Sequence, residues 1–358
     1  MRQAFLLGNP GTKRTDYLKK AADQTGISIG LLNWKDWSGH LPEGAPFLKI
    51  DPPLWDSWSL EQLNPLTEAY RRRLAKIEQL AEKREVEFLN PPSAIAELLD
   101  KRGCKERLMQ AGLPVTDLLC KDDVDDAFSE KANFCKDPQK GIRSTEQLLD
   151  EMRQRRISQV FIKPVFGSGA AGVSAFRMQP GTGRMSLYTC AFDVPDSGLV
   201  NTKKLRQYTE PREVRSLLDR LLRLNCVVER WYPKAAYGRY IYDLRVVVQE
   251  HRIDYILARL SKGPITNLHL NNHPLSIEEL GLPLQTMEDV EELCQRATDC
   301  FSGLKSAGID ILLEKGSLKP RIIEMNAQGD LIYQDIYHEN VIYRRQAERM
   351  KAWMGEFQ

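Results

Sequence analysis

A lysine that closes an apolar strand and is followed at once by small residues can grip a phosphate chain. The sequence has one such run, Val160-Phe161-Ile162-Lys163, leading into Pro164-Val165-Phe166-Gly167-Ser168-Gly169-Ala170-Ala171-Gly172. Small residues let backbone N–H groups approach phosphate oxygens, and the lysine adds charge. A plain glycine-rich hairpin is the alternative reading of this run alone. The sequence has no Gly-x4-Gly-Lys-[Ser/Thr] motif: Gly8-Asn9-Pro10-Gly11-Thr12-Lys13 imitates one without its spacing. No Gly-x-Gly-x-x-Gly follows the first strand either. Oxygen ligands come from a second place, Gly308-Ile309-Asp310-Ile311 and Ile322-Ile323-Glu324-Met325-Asn326. Glu324 and Asn326 are i, i+2 and share one side of a strand. Together with Asp310 they make three hard oxygen donors, which suit Mg²⁺ and leave room for water and phosphate oxygens; polar residues on edge strands are the alternative. Cys226-Val227-Val228-Glu229-Arg230-Trp231-Tyr232 runs from a strand into groups that would wall a purine or simply pack a core. In Asp243-Leu244-Arg245-Val246 two charges share one face of an apolar strand and need partners, either each other or a nucleotide and substrate.

These residues need strands to hold them. Ala4 to Leu7 is a short apolar strand, a helical pattern runs through Tyr17, Leu18, Ala21 and Ala22 to a stop at Gly26, and Ile27 to Leu32 is a second strand. Phe47-Leu48-Lys49-Ile50-Asp51-Pro52-Pro53 is a strand ending in a loop, and residues 66–85 are helical, with Arg71-Arg72-Arg73 on a solvated face. Asn90-Pro91-Pro92 is a break. Ser93 is expected to cap a helix, and Lys101 to Ala111 to continue it. Further helices are expected over 144–157, 213–224 and 288–306, and strands over 160–163, 172–176, 226–229, 243–249, 253–259, 309–313 and 321–325. Residues 179–212 are turn-rich and receive no element.

Composition narrows the class. The 358 residues exceed one small core. With 51 basic and 49 acidic residues the formal charge is +2, no basis for a nucleic-acid or anionic-membrane partner. The first apolar run is too short for a signal peptide or membrane span. Seven scattered cysteines without a CxxC pair suit a reducing cytoplasm. His269 and His273 are i, i+4, but Pro264 and Asn271-Asn272 speak against the helix that would make them a zinc pair. Four of the six tryptophans, Trp34, Trp37, Trp55 and Trp58, come early, with packing as their default role.

Taken in order, these pieces resemble the ATP-grasp superfamily over nearly the whole chain, and within it the glutathione synthetase and ribosomal-protein glutamate ligase branch. Lys49-Ile50-Asp51-Pro52-Pro53 is similar to a segment of bacterial glutathione synthetases, and Asp100-Lys101 with Ala111-Gly112-Leu113-Pro114 to the first-lysine region of D-alanine–D-alanine ligases. The resemblance makes Lys163 the second family lysine, Gly167 to Gly172 the loop over the phosphates, and Glu229 to Tyr232 the adenine hinge. It also matches Asp243-Leu244-Arg245 to an Asp-Ile-Arg motif, Arg259 with Asn267-Leu268-His269 to an Arg and Asn-Leu-His stretch, and Asp310, Glu324 and Asn326 to the metal ligands.

The resemblance implies an α/β pre-ATP-grasp domain over 1–92, a central lobe over 93–190 and a C-terminal lobe over 191–358, the two α+β lobes clasping ATP. Its expected activity is carboxylate–amine ligation through an acyl phosphate, with ADP formed. ATP and two Mg²⁺ ions, with Mn²⁺ as substitute, are the expected cofactors. Arg245, Lys163 and Arg259 are the expected catalytic residues. Lys101, Lys163, Gly167, Ser168, Gly169, Gly172, Glu229, Arg230, Trp231, Tyr232 and Asp243 are expected at the nucleotide. Asn267, His269, Asn271 and Asn272 are expected at a small-molecule or peptide substrate. Asn271-Asn272 stands where relatives have Gly-Gly, and Ala327-Gln328-Gly329-Asp330 where they have Ser-Pro or Ser-x-Gly; both departures point away from glutathione synthesis itself. The alternatives are an ATP-grasp kinase and a non-catalytic ATP-binding regulator.

Overall fold

Apolar strands alternating with helices in the first ninety residues give a parallel sheet. The computed structural model describes residues 2–55, 59–119, 141–167, 169–194, 198–270, 272–328 and 340–355. In it β1 (Arg2–Gly8), β2 (Ile29–Asn33), β3 (Ala45–Ile50) and β4 (Glu87–Phe88) pair in the order β2-β1-β3-β4. The helix α1 (Lys13–Thr25) starts at the Thr12 cap and stops at Gly26, which takes the left-handed φ of 76° that glycine accepts without strain. The helix α2 (Leu63–Ala81) buries Thr67, Tyr70, Leu74 and Ile77.

Asn90 closes this unit by tying it to distant backbone. Its amide donates to the carbonyls of Ser306 (2.7 Å) and Ala327 (2.6 Å), and its oxygen accepts from the N–H groups of Lys305 and Ser306, both at 2.9 Å. The expected Ser93 cap does not form. Ser93 lies inside α3 (Pro92–Leu99), whose cap is Pro91, and Ser93 bonds instead to Glu78 of α2. Nor does one helix continue through Lys101. Asp100 leaves the helical region at φ −92°, ψ 99°, and its carboxylate accepts from the N–H groups of Arg102 and Gly103, so a second helix, α4 (Lys101–Gln110), begins there.

The next sheet is antiparallel. It contains β5 (Leu118–Leu119), then, after α5 (Thr145–Gln154), β6 (Gln159–Pro164), β7 (Ser174–Met178), β8 (Met185–Val194) and β9 (Gly198–Tyr208); α6 (Pro211–Arg223) leads to β10 (Cys226–Arg230). Its order is β5-β10-β6-β7-β8-β9. The turn-rich stretch is thus a long hairpin, hidden in sequence because its register shifts between Thr189 and Ala191 and polar Asn201-Thr202-Lys203-Lys204 breaks the alternation. A boundary at 190/191 would fall inside β8, both halves of which pair with β9, and the sheet runs on to Arg230.

The third sheet follows: β11 (Ala236–Tyr237), β12 (Tyr240–Gln249), β13 (Arg252–Ser261), β14 (His273–Ser276), then α7 (Ile277–Leu280), α8 (Leu284–Asp299), β15 (Ser306–Leu313) and β16 (Pro320–Asn326). Its order is β14-β13-β12-β15-β16, with β11 on β12. The last helix, α9 (Val341–Gly355), returns to the first sheet, where Tyr343, Ala347 and Met350 pack with Leu6, Leu18 and Phe47. The same helix also packs on the third sheet, where Ile342 joins Val247, Tyr255 and Leu257 and Arg345 pairs with Asp254 at 2.7 Å, so it bridges the two units. Among the described residues no helix is long and apolar enough to cross a membrane.

Candidate active site

A cavity of about 520 Å³ lies where the three sheets meet. Its ceiling is the glycine-rich loop after β6. Gly167, Gly169 and Gly172 all have positive φ (137°, 64° and 69°), and so does Ala170 at 65°. A Cβ on Gly172 would lie 2.7 Å from Cγ of Pro164, so that position has no room for a side chain. The Gly172 N–H donates to Asn201 Oδ1 at 3.1 Å, which pins the loop to β9. Gly172→Ala should therefore cost about 1–3 kcal/mol in denaturant unfolding. Ala170→Gly should be near neutral, since relief of the left-handed backbone is offset by glycine's greater freedom when unfolded. Ser168 lies outside the described residues.

Beneath the loop, cations surround one buried carboxylate. Glu229, on β10, is 2.9 Å from Nζ of Lys163 on β6 and 2.8 Å from Nζ of Lys105 on α4, and Thr116 donates to it at 2.8 Å. Burial pushes the Glu229 carboxyl up, but the two lysines overcome this and hold it down at about 2. Two cations sharing one anion leave a surplus positive charge. Burial and repulsion from Lys163 accordingly pull Lys105 down to about 8 although Glu229 opposes this. The second oxygen, Oε1, is enclosed with no hydrogen-bond partner among the described residues. Lys101 donates to the Gly167 carbonyl and lies 3.5 Å from Glu324, joining loop to third sheet.

The third sheet supplies the floor. Asp243 and Arg245 on β12 share a face as their i, i+2 spacing requires, and Arg259 is the direct partner of Asp243 on β13. Arg259 reaches Asp243 at 2.8 Å and Asp310 at 3.0 Å, while Arg245 reaches Asp310 at 2.8 Å. Lys234 (3.0 Å) and Thr266 also bond to Asp243. Burial raises the Asp243 carboxyl, but Arg259 and Lys234 outweigh it and hold the group well below the usual carboxylate range. Asp310 and Glu324 face each other across β15 and β16, and Asn326 pairs with Gly308 further along. All three line the cavity. The described residues contain no cluster of three His, Cys, Asp or Glu. The donors are two carboxylates and an amide, all hard oxygens. That set fits Mg²⁺, with phosphate oxygens completing its shell.

Most of the expected site residues therefore meet in one place: Lys101, Lys163, Gly167, Gly169, Glu229, Arg230, Tyr232, Asp243, Arg245, Arg259 and Asn267 all line this cavity. Trp231 does not. Its ring packs on Phe161 (5.2 Å between centroids), and its N–H and carbonyl both bond to Gln159, because alternation along the strand end turns it outward. Asn272 braces a loop, donating to the carbonyls of Ile265 and Asn267, both at 2.9 Å. His269 belongs to a single 3-10 turn and His273 to β14, so no helix pairs them; Asn271 lies outside the described residues. Sequence reading missed Lys105, Thr116, Lys234, Asn201 and Arg14. Only Lys105 had left a signal, four residues after Lys101 on the same helical face.

No protein-family model matches the sequence, and no curated protein matches it. Solved structures do. A Chryseobacterium gregarium RiPP-associated ATP-grasp ligase, in complex with ADP and a leader and core peptide, superposes with a TM-score of 0.60 at 13% identity, covering 99% of this chain and 97% of that one. The ATP-grasp ligase PsnB complexed with minimal precursor gives a TM-score of 0.57 at 14% identity over 98% and 99% of the two chains. The D-cycloserine synthetase DcsG gives 0.57 at 13% identity over 98% and 100%. The chain has the ATP-grasp fold.

Proposed function

We propose that this protein is an ATP-dependent carboxylate–amine ligase that works through an acyl phosphate and releases ADP. The observation that carries the reading is the single cavity in which Lys163 and the glycine loop face the Asp310–Glu324 pair. Several structural neighbours are ATP-grasp ligases, which supports the same chemistry. Placement in the glutathione synthetase and glutamate ligase branch, and in the cytoplasm, belongs to this proposal too.

In this reading Lys101, Lys163 and the loop N–H groups hold the phosphates, and Asp243 anchors the cation pair beneath them. Asp310, Glu324 and Asn326 would hold Mg²⁺, which when bound spreads the charge developing on the transferred phosphoryl group. A substrate carboxylate oxygen bonds to the γ-phosphorus as the bond to the bridging oxygen breaks and ADP leaves. Arg245 and Arg259 lie beside that charge. An amine nitrogen then bonds to the acyl carbon, the carbon–oxygen bond to phosphate breaks, phosphate departs with the electron pair, and the amine proton passes to solvent. The loop and α2 keep water from the intermediate.

Mg-ATP should raise Tm by mass action. Glu229 lines the cavity and its Oε1 lacks a donor. A base that brings an amino group there is favoured over one that brings a carbonyl, so GTP should raise Tm less than ATP. No shift at millimolar Mg-ATP would sink the nucleotide reading. An ADP-release screen over pairs of amino acids and peptides, with mass spectrometry, then tests ligation: joined product with free phosphate is expected, and a stable phosphorylated product would identify a kinase.

A further inference from the structure

We infer that Asn90 is a positioning residue for the proposed Mg²⁺ site, holding the ligand-bearing ends of β15 and β16 to each other from outside their sheet. This role rests on the ligase reading, which gives Asp310, Glu324 and Asn326 to the metal.

The turn between β15 and β16 is poorly placed to fix the spacing of those ligands. From the turn the strands pair as far as Ile311–Ile322, shift, and resume at Asp310–Glu324. One step on β15 is matched by two on β16, so Ile323 is an extra residue, and such a bulge bends the strand and interrupts the ladder. All three ligands lie beyond it, on the stretch that pairs Asp310 with Glu324, Ile309 with Met325 and Gly308 with Asn326. On that stretch β15 is steadied by β12, which pairs with it from Ile311 to Ser306. β16 is the outermost of the described strands of its sheet, and its ligand end is tied to the first unit instead.

Asn90 makes that tie. A primary amide offers two N–H donors and an oxygen with two lone pairs. The nitrogen donates to the carbonyls of Ser306 on β15 and of Ala327, the residue after Asn326, while the oxygen accepts from the N–H groups of Lys305 and Ser306. One planar group therefore bonds to both strands just past the last ligand pair. Asn90 is only 4% exposed, which leaves water little access to replace it. Its own backbone is restrained, because Pro91 confines the residue before it to the extended region, and Leu89 donates to the Leu48 carbonyl at 3.1 Å. The start of β15 docks on the same segment: Lys305 donates to the Phe88 carbonyl at 3.2 Å and pairs with Glu87. Gln328 adds bonds to Ile50 and Tyr70, but those hold β16 to the first unit and not to β15.

Mg²⁺ demands near-ideal octahedral geometry, so loosening one strand against the other should weaken it. The test is thermal shift at saturating AMPPNP with free Mg²⁺ as the variable. Asn90→Asp keeps the size and the accepting oxygen but turns a second oxygen toward two carbonyls. It should raise the half-saturating Mg²⁺ about tenfold or more, the usual cost of losing a group that orients metal ligands. Its affinity for AMPPNP in EDTA should stay within about threefold of the parent's, a difference below 1 kcal/mol. Leu18→Ala, a cavity in the first unit away from Asn90, should lower Tm and leave half-saturating Mg²⁺ unchanged. A lowered Tm in Asn90→Asp with unchanged half-saturating Mg²⁺ overturns the role, and so does a tenfold loss of AMPPNP affinity in EDTA. Should Asn90→Asp fail to fold, amide hydrogen exchange on the unmodified protein decides. By linkage, Mg²⁺ must strengthen bonds that strengthen its own binding. Adding Mg²⁺ to the AMPPNP complex should then slow exchange at Lys305 and Ser306 more than at the β1 amides, and equal slowing or none overturns the role. If the parent shows no Mg²⁺ response at saturating AMPPNP, the metal assignment falls and takes this role with it; a normal parent response with an unmoved variant removes only Asn90.

Discussion

Glu324→Gln should lower ADP release by about two orders of magnitude or more, the usual size of a lost electrostatic contribution at a reacting centre, while the fold stays intact. The substitution keeps the side chain's shape and removes the anion that faces Asp310 across β15 and β16. Little structure depends on that anion: its ion-pair partner is Lys101 at 3.5 Å, and its side chain keeps 21% exposure. Unchanged Tm with lost turnover is the expected pair of results. Wild-type turnover would place the metal ligands elsewhere.

Glu229→Gln should instead act on folding. It leaves Lys105 and Lys163 buried together without their anion, and breaking a buried pair this way costs about 3–5 kcal/mol. Acid should mimic it. The carboxyl's folded-state value of about 2 lies below its ordinary 4.5, so its contribution is full above 4.5 and is lost as pH falls toward 2. Lys105 acts at the other end: its folded value of about 8 lies below its ordinary 10.5, so deprotonation in that window favours the folded state. Denaturant midpoints measured across pH should show a shallower acid limb in Glu229→Gln than in the parent. An unchanged midpoint at neutral pH would mean that Glu229 does not hold the two lysines.

The residues that converge on the cavity were legible where charged residues interrupt apolar strands. Lys163, Asp243, Arg245, Asp310 and Glu324 all stand out because an apolar strand tolerates a charge only when something pairs it. The long β8–β9 hairpin was not legible, because its register shift destroys the period on which strand reading depends. Lys234, Thr116 and Asn201 escaped for a different reason. Each comes from a stretch whose own sequence is ordinary, and only the closing of one sheet over another brings it to the cavity. The break at Asp100 was missed because the apolar pattern runs across it; what ends α3 is a carboxylate turned back onto the next two N–H groups that follow Lys101.

The return of α9 to the first sheet has a consequence for how the protein is made. Leu6 and Phe47 emerge from the ribosome long before the side chains that help cover them, Tyr343, Ala347 and Met350. Arg2 likewise finds the carbonyl of Trp353 at 3.0 Å across a separation of 351 residues. Domains ordinarily fold one after another as they are synthesised. Here the first unit is completed only after the strands of the other two sheets have been made, and until then part of its apolar face stands open to chaperones.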